Sequence, residues 1–251
     1  MMADGTLLGS YFFHDIIPWD DDVDLMVDYN DYPRLKKAYH NKTIWSNYNL
    51  YGYHDSFNEY EFELLNTTFP DRDVEQDLIP YTNISYSKRI KYHKLKIFST
   101  NGKRLTKNFY KWPYIDVTFF KHNGNHFWNH DKIRYSMPVK DFFPFHLRPF
   151  MGMWLPAPHK TALFLKQKIL RYSKSGSLKC QIGMWDHKKE EDISMKERVS
   201  VPCASLDSVY VRITRSKLED GKTNESAIIS GKNLYSTYVD EYFDDASLKL
   251  H

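Results

Sequence analysis

Apolar residues alternate with polar ones along several short stretches of this chain, and one longer stretch shows a helical period. Residues 23–28 (VDLMVD), 59–65 (EYEFELL) and 93–99 (HKLKIFS) carry an apolar side chain at about every second position, the pattern of half-buried strands. YIDVTFFKH and NHFWN flank Asn123-Gly124, a dipeptide suited to the positive φ angles of a type I′ turn, so residues 114–129 predict a β-hairpin. From 158 to 173 (PHKTALFLKQKILRYS), Ala162, Leu165 and Ile169 recur near helical spacing with lysines on the other side, which predicts an amphipathic helix. A shorter helix is expected to run to His40, capped by Asn30 or Asp31, with Pro33 in its first turn. GTLLGS at 5–10 reads as the end of a helix or a helix-to-loop turn. Beyond the amphipathic helix, GSLKC and the Lys/Glu-rich stretch to Arg198 predict loop and irregular structure, and the last fifty residues carry weak strand signals.

These elements describe an α/β or α+β protein with a mixed sheet flanked by a few helices. A length of 251 residues is enough for a sizeable core. The chain is expected to form one domain, with a core over about 1–175 and a C-terminal extension over about 176–251 packed on it. Apolar residues make up 41% and charged residues 27%, which places the chain with globular proteins and excludes a disordered one. A net charge of +3 is too small for wrapping nucleic acid, although basic residues gather around Lys88–Lys96 and Lys103–Lys111. No run reaches the ~18 uninterrupted apolar residues of a membrane span. The best stretch, Phe142–Pro158, is broken by His146, Arg148 and prolines.

The densest chemistry lies at residues 14–28, HDIIPWDDDVDLMVD, where Asp20, Asp21, Asp22 and Asp24 crowd into five positions. Packed carboxylates repel one another unless a cation compensates them. On a strand, Asp20, Asp22 and Asp24 share one face while Val23, Leu25 and Val27 take the other, so the acids face an opening and the apolar set faces the core. A calcium loop of EF-hand type fails on spacing. Counted from Asp20, the sixth position is Leu25 where the turn needs glycine, and the twelfth is Asp31 and not glutamate. The Asp-x-Asp of nucleotide-sugar glycosyltransferases usually follows a complete nucleotide-binding half, and here about twenty residues precede it.

A glycine turn, a strand with Asp-x-Asp and a third acid from a later strand is the layout of the nucleotidyltransferase fold, in which acids hold a metal for in-line phosphoryl transfer. Gly5-Thr6 and Gly9-Ser10 are candidates for the turn, and Asp116 of YIDVTFF is the strongest candidate for the third acid. His122, His126 and His130 have a spacing that invites a zinc reading, but the proposed hairpin puts His122 on one face and His126 and His130 on the other.

GTLLGSYFFHDIIPWDDDVDLMV resembles the signature of the LicD family, which includes fukutin and the fukutin-related protein. Its pattern runs Gly-Thr-Leu-Leu-Gly, then Arg-His, then Ile-Pro-Trp-Asp-Asp-Asp-x-Asp. WPYIDVTFF is similar to the family's second acidic strand, and CQIGMWDHKKE with VPCASL looks like its animal branch. The resemblance implies a metal-dependent transferase that moves a phospho-alcohol group, such as phosphocholine or ribitol phosphate, from a CDP-linked donor to a hydroxyl of a glycan or glycoprotein. It implies that Asp22 and Asp24 bind Mg²⁺ or Mn²⁺. Asp116 would complete the site or act as base, Asp20 and Asp21 would orient the ligands from behind, and Gly5, Thr6, Gly9 and Ser10 would receive donor phosphate.

Asp186-His187, beside Trp185, is a candidate acid–base or acceptor contact. A glycosyltransferase using the same acids and a non-catalytic family member are the alternatives. Phe12-Phe13 stand where the pattern has Arg-His, which removes a natural phosphate clamp.

Animal members work in the secretory pathway, in the ER or Golgi lumen, generally with an N-terminal anchor and stem. Such segments would lie upstream of this chain, which starts almost on the glycine turn. Four Asn-x-Ser/Thr sequons, at Asn41, Asn66, Asn83 and Asn224, agree with that address. So does a disulfide between Cys180 and Cys203, the chain's two cysteines.

Overall fold

A computed structural model describes residues 1–40, 50–52, 60–62, 90–92, 95–104, 111–129, 136–172, 180–182, 185–186, 191–194, 196–197 and 199–242. Helix α1 (Asp4–Phe13) opens the chain and leads to strand β1 (Val23–Asp28). A 3₁₀ turn (Tyr29–Asp31) then runs into α2 (Tyr32–His40). The 3₁₀ turn is capped by Asp28, whose Oδ1 accepts from the Asn30 N–H at 2.8 Å. Asn30 and Asp31, the residues expected to cap, form the 3₁₀ turn, and Asp31 directly precedes α2. Strands β2 (Leu50–Gly52), β3 (Tyr60–Phe62), β4 (Ile90–Tyr92) and β5 (Leu95–Arg104) follow, then β6 (Lys111–His122), β7 (His126–Asn129) and β8 (Ser136–Pro138).

The main sheet orders β2-β5-β6-β7-β8, with β1 lying parallel along β6. This is the mixed sheet that the alternation predicts, with α1 and α2 beside it. Its two faces bury different clusters, as strand geometry requires. Val117 and Phe119 pack with Leu25, Val27, Tyr32 and Leu35 on one side. Met26 and Phe120 join α1 in the larger core on the other.

The β6–β7 hairpin forms as expected, but its turn differs. Gly124 has φ +89° while Asn123 keeps a negative φ, and Asn123 N–H donates to the His126 carbonyl at 3.1 Å. Positive φ at the first central residue alone is the type II′ pattern. The Asn123 side chain is engaged instead, its Oδ1 accepting from the N–H groups of Asn125 and His126.

A short helix α3 (Val139–Phe142) leads into the hairpin β9 (His146–Phe150) and β10 (Met153–Ala157). The amphipathic helix follows as α4 (Thr161–Tyr172). Ala162, Phe164 and Leu165 are buried in the larger core, and Thr161 Oγ1 donates to the Pro158 carbonyl at 3.0 Å. Among the described residues no helix is long and apolar enough to cross a membrane.

The segment expected to be irregular carries short antiparallel pairs: β11 (Cys180–Ile182) with β14 (Val199–Val201), and β12 (Trp185–Asp186) with β13 (Glu191–Asp192). Short cross-strand pairing there overrides the polar composition. Cys180 and Cys203 form a disulfide, both ends buried against the larger core. Replacing both with alanine is expected to remove roughly 3 kcal/mol, because the bond closes a loop of 23 residues in the unfolded chain. A urea titration of the variant against the wild-type protein under non-reducing conditions measures this.

The last three strands, β15 (Arg212–Lys217), β16 (Lys222–Ile229) and β17 (Lys232–Tyr242), form an antiparallel sheet of their own. A buried ionic network ties it to the core. Arg148 on β9 is fully buried, with Nη2 2.6 Å from Glu225 Oε1 and Nη1 2.9 Å from Glu241 Oε2. Arg215 Nε lies 2.7 Å from Glu225, its guanidinium covers the Tyr11 ring, and its Nη2 donates to the Tyr11 carbonyl. His14, the C-cap of α1, closes the network at 2.6 Å from Glu225 Oε2 and 3.0 Å from the Tyr235 hydroxyl. The C-terminal sheet thereby holds the end of α1.

Candidate functional site

The opposite end of α1 meets the acids. Ala3 N–H donates to the Asp24 carbonyl at 3.0 Å, and the Asp24 N–H donates to Thr6 Oγ1 at 2.7 Å. Gly5 N–H, in the first helical turn, donates to Asp24 Oδ2 at 3.1 Å. A β-carbon at Gly5 would stand 1.9 Å from Asp20 Oδ2, so glycine leaves space there for a carboxylate against the helix start.

Among the described residues, Asp20, Asp22 and Asp24 bring one carboxylate oxygen each within 4.8 Å of one another. The alternation of β1 aims Asp24 into this group, and the turn before it, closed by Asp20 N–H to the Ile17 carbonyl at 2.9 Å, brings in Asp20. Parallel pairing sets Asp24 directly beside Asp116 on β6. Asp116 is buried and lies outside the converging trio.

Burial and the Asp22 charge push the Asp20 carboxyl up to about 7. Asp24 is pushed up to about 7 by burial and by the charges of Asp22, Asp20 and Asp116, against the pull of the Gly5 N–H. This is strain that a cation relieves. An all-carboxylate donor set suits a hard divalent ion of the Mg²⁺ or Mn²⁺ type.

A pH dependence follows. Both carboxyls titrate above their ordinary value of 3.8. Between about pH 4 and pH 7 these two carboxyls therefore hold more protons in the folded, metal-free protein than in the unfolded chain, and their contribution to stability falls as pH rises through that window. A cation must displace those protons. Apparent Mn²⁺ affinity is expected to climb from pH 5.5 to pH 7 and level off above it, with proton release at the lower pH. Calorimetry in buffers of different ionisation enthalpy measures both; affinity that is flat with pH is the contrary result.

The structure sorts the other expected residues. Residues 5–10 lie inside α1 and do not form a turn. Gly9 lies against the Asp15 carbonyl, where a β-carbon would stand 2.2 Å away, and Ser10 Oγ donates to the Pro149 carbonyl at 2.7 Å. Gly5 and Thr6 are thus the pair that adjoins the acids, while Gly9 and Ser10 serve packing. Asp20, placed behind the ligands by the sequence, stands among them, whereas Asp21 stays behind, its carbonyl accepting from Trp112 Nε1 at 2.8 Å.

Trp112 joins the site although no motif of the sequence marks it as a site residue. The available signal was its position on β6 four residues before Asp116, which puts the two on one strand face. Phe12 and Phe13 are core residues, seven and eight positions along α1 from Gly5, or ~10–12 Å of helix. The positions where the pattern has Arg-His therefore lie at the far end of the helix from the acids.

His122 sits 3.5 Å from Asp28, away from the acidic trio in register. Asp186 ends β12 opposite Glu191. His187, His130 and the sequons at Asn41, Asn66 and Asn83 lie outside the described residues. Asn224 lies on β16.

No curated protein matches the chain. The family model for the LicD/FKTN/FKRP nucleotidyltransferase domain matches residues 1–84 and 75–160, which together hold α1, the acidic trio and Asp116. With more than half of its length matched by that model, the chain belongs to the LicD/FKTN/FKRP family, whose members are phosphotransferase-like enzymes of glycans.

Proposed function

We propose that the chain is a metal-dependent transferase that moves a phospho-alcohol group, phosphocholine- or ribitol-phosphate-like, from a CDP-linked donor to a glycan hydroxyl. The observation that carries this reading is the convergence of Asp20, Asp22 and Asp24 at the start of α1, beside Asp116, in a member of this family. Asp20, Asp22 and Asp24 would hold Mg²⁺ or Mn²⁺. The ion, when bound, supplies charge neutralisation for the donor diphosphate. Gly5 and Thr6, in the first turn of α1, would present the positive end of its dipole to the same phosphates.

In the transfer, the acceptor oxygen bonds to the β-phosphorus, the bond from that phosphorus to the CMP oxygen breaks, and CMP leaves. Asp116 takes the acceptor proton, a role suited to a buried carboxylate next to the trio but outside it. Trp112 fixes the main chain of Asp21 and with it the loop that carries Asp20 and Asp22. The buried disulfide and the Asn224 sequon support an address in the ER or Golgi lumen.

Asp116→Asn is expected to lower kcat by about 10²–10⁴ while Mn²⁺ affinity stays within a few-fold of wild type. Parallel rate and titration measurements check this. The reading as a whole is tested by thermal shift with CDP, UDP and GDP, each with Mn²⁺. CDP should stabilise most, by about 2.7 kcal/mol at a hundredfold excess over Kd. A larger shift with UDP would move the assignment to a nucleotide-sugar glycosyltransferase, and no shift with any nucleotide would remove it.

A further inference from the structure

The outward face of the C-terminal sheet has no part in the chemistry above, yet its composition is distinctive. On β16, Glu225 points inward and is fully buried, so Asn224 and Ser226 point outward together. These three residues are the Asn-Glu-Ser sequon, and both of its reacting positions face solvent. Register places Asn224 between Ser216 on β15 and Tyr238 on β17. The Asn224 Nδ2 donates to Ser216 Oγ over a long 3.5 Å. Tyr238 is 48% exposed, and its hydroxyl is anchored to Asp240 at 3.3 Å. On the same face Lys222 pairs with Asp240 at 2.5 Å, and Ser226 with Ser236 at 2.8 Å, so the surface around Tyr238 is neutral and rich in hydroxyls.

We infer that Asn224 is an N-glycosylation site and that the first sugar of its glycan lies across the exposed Tyr238 ring. A lipid-diphosphate-linked oligosaccharide, handled by the cell's oligosaccharyltransferase, is the co-reactant. A bond forms from Asn224 Nδ2 to C1 of the reducing-end N-acetylglucosamine, the bond from C1 to the diphosphate oxygen breaks, and the lipid diphosphate leaves with the amide proton. An apolar sugar face against an aromatic ring, with hydroxyls around it to meet the sugar's own, accounts for a large aromatic side chain left in water on a sheet face. The Cys180–Cys203 disulfide independently points to the oxidising compartment where this transfer occurs.

The full chain, secreted from eukaryotic cells, is digested and peptide-mapped with and without peptide N-glycosidase. The expected result is conversion of Asn224 to aspartate by the enzyme, lost in both Asn224→Gln and Ser226→Ala. Hydroxyl-radical labelling of Tyr238 is expected to rise when the glycan is removed from the folded protein. Tyr238→Ala should lower Tm at least about twice as much in the glycosylated protein as in the Asn224→Gln background. An unmodified Asn224 overturns the inference. Equal Tyr238 labelling with and without the glycan overturns its placement on that ring. Neither readout depends on the acid cluster.

Discussion

Replacing Glu225 by alanine is expected to cost about 3–5 kcal/mol of folding free energy, the scale of breaking a buried ion pair from one side. Glu225 is the hub of the network: Arg148 at 2.6 Å, Arg215 at 2.7 Å and His14 at 2.6 Å all converge on one buried carboxylate. Burial alone would push its carboxyl up. The charges of Arg148 and Arg215 and the His14 hydrogen bond outweigh burial and hold it well below the usual range. Its contribution is complete above the ordinary value of 4.5 and is lost as pH falls below that value, so the wild-type fold should weaken in acid.

Among the described residues, the alanine variant leaves Glu241 as the carboxylate paired with buried Arg148. It also frees the C-terminal end of α1, where Arg215 and His14 are fastened. Chemical denaturation is the measurement, with Glu225→Gln as the comparison that keeps the shape and removes the charge. A loss below about 1 kcal/mol for the alanine variant would contradict the central place of this residue.

The Asp22→Asn/Asp24→Asn protein should show two effects of opposite sign. Metal affinity is expected to fall at least about a hundredfold, since two of three converging carboxylates lose their charge. The metal-free fold, by contrast, should gain on the order of 1 kcal/mol at pH 8, because the burial of charge and the mutual repulsion that together raise Asp20 and Asp24 to about 7 are relieved. Titration with Mn²⁺ and thermal melting in a chelator measure the two. A surface cluster without a ligand would give neither effect, and acids needed only for folding would lose stability in place of gaining it. The combination is the mark of a site that holds strain for function.

Much of this site is readable in the chain because its geometry is local. Period-two alternation sends Asp22 and Asp24 to one face, and an acid at the centre of a second apolar strand becomes their neighbour once the strands pair, as Asp24 and Asp116 do. The role of Asp20 was less accessible, since it depends on a turn closed at Ile17. GTLLGS reads as the end of a helix or a helix-to-loop turn, and all six residues lie within α1, where Gly5 makes room for Asp20 and Gly9 for the Asp15 carbonyl.

The C-terminal sheet is the least legible element in the sequence. Its inward positions include Arg215, Glu225 and Glu241, charges that erase the apolar alternation by which a strand is recognised. Arg148 likewise read as an interruption in an apolar run and is one of the most buried residues of the fold. Buried charge is compensated by partners far away in sequence, and no local pattern announces them.

A cation held by the acids for transfer from a CDP-linked donor would show itself in CMP release. CDP-choline and CDP-ribitol would each be supplied with a glycan acceptor, with Mn²⁺ or with chelator, to the wild-type and Asp22→Asn/Asp24→Asn proteins. Release is expected from one of these donors, to require metal and acceptor, and to be absent from the variant. Equal release by the variant, or release that persists in chelator, would contradict that role for the acids.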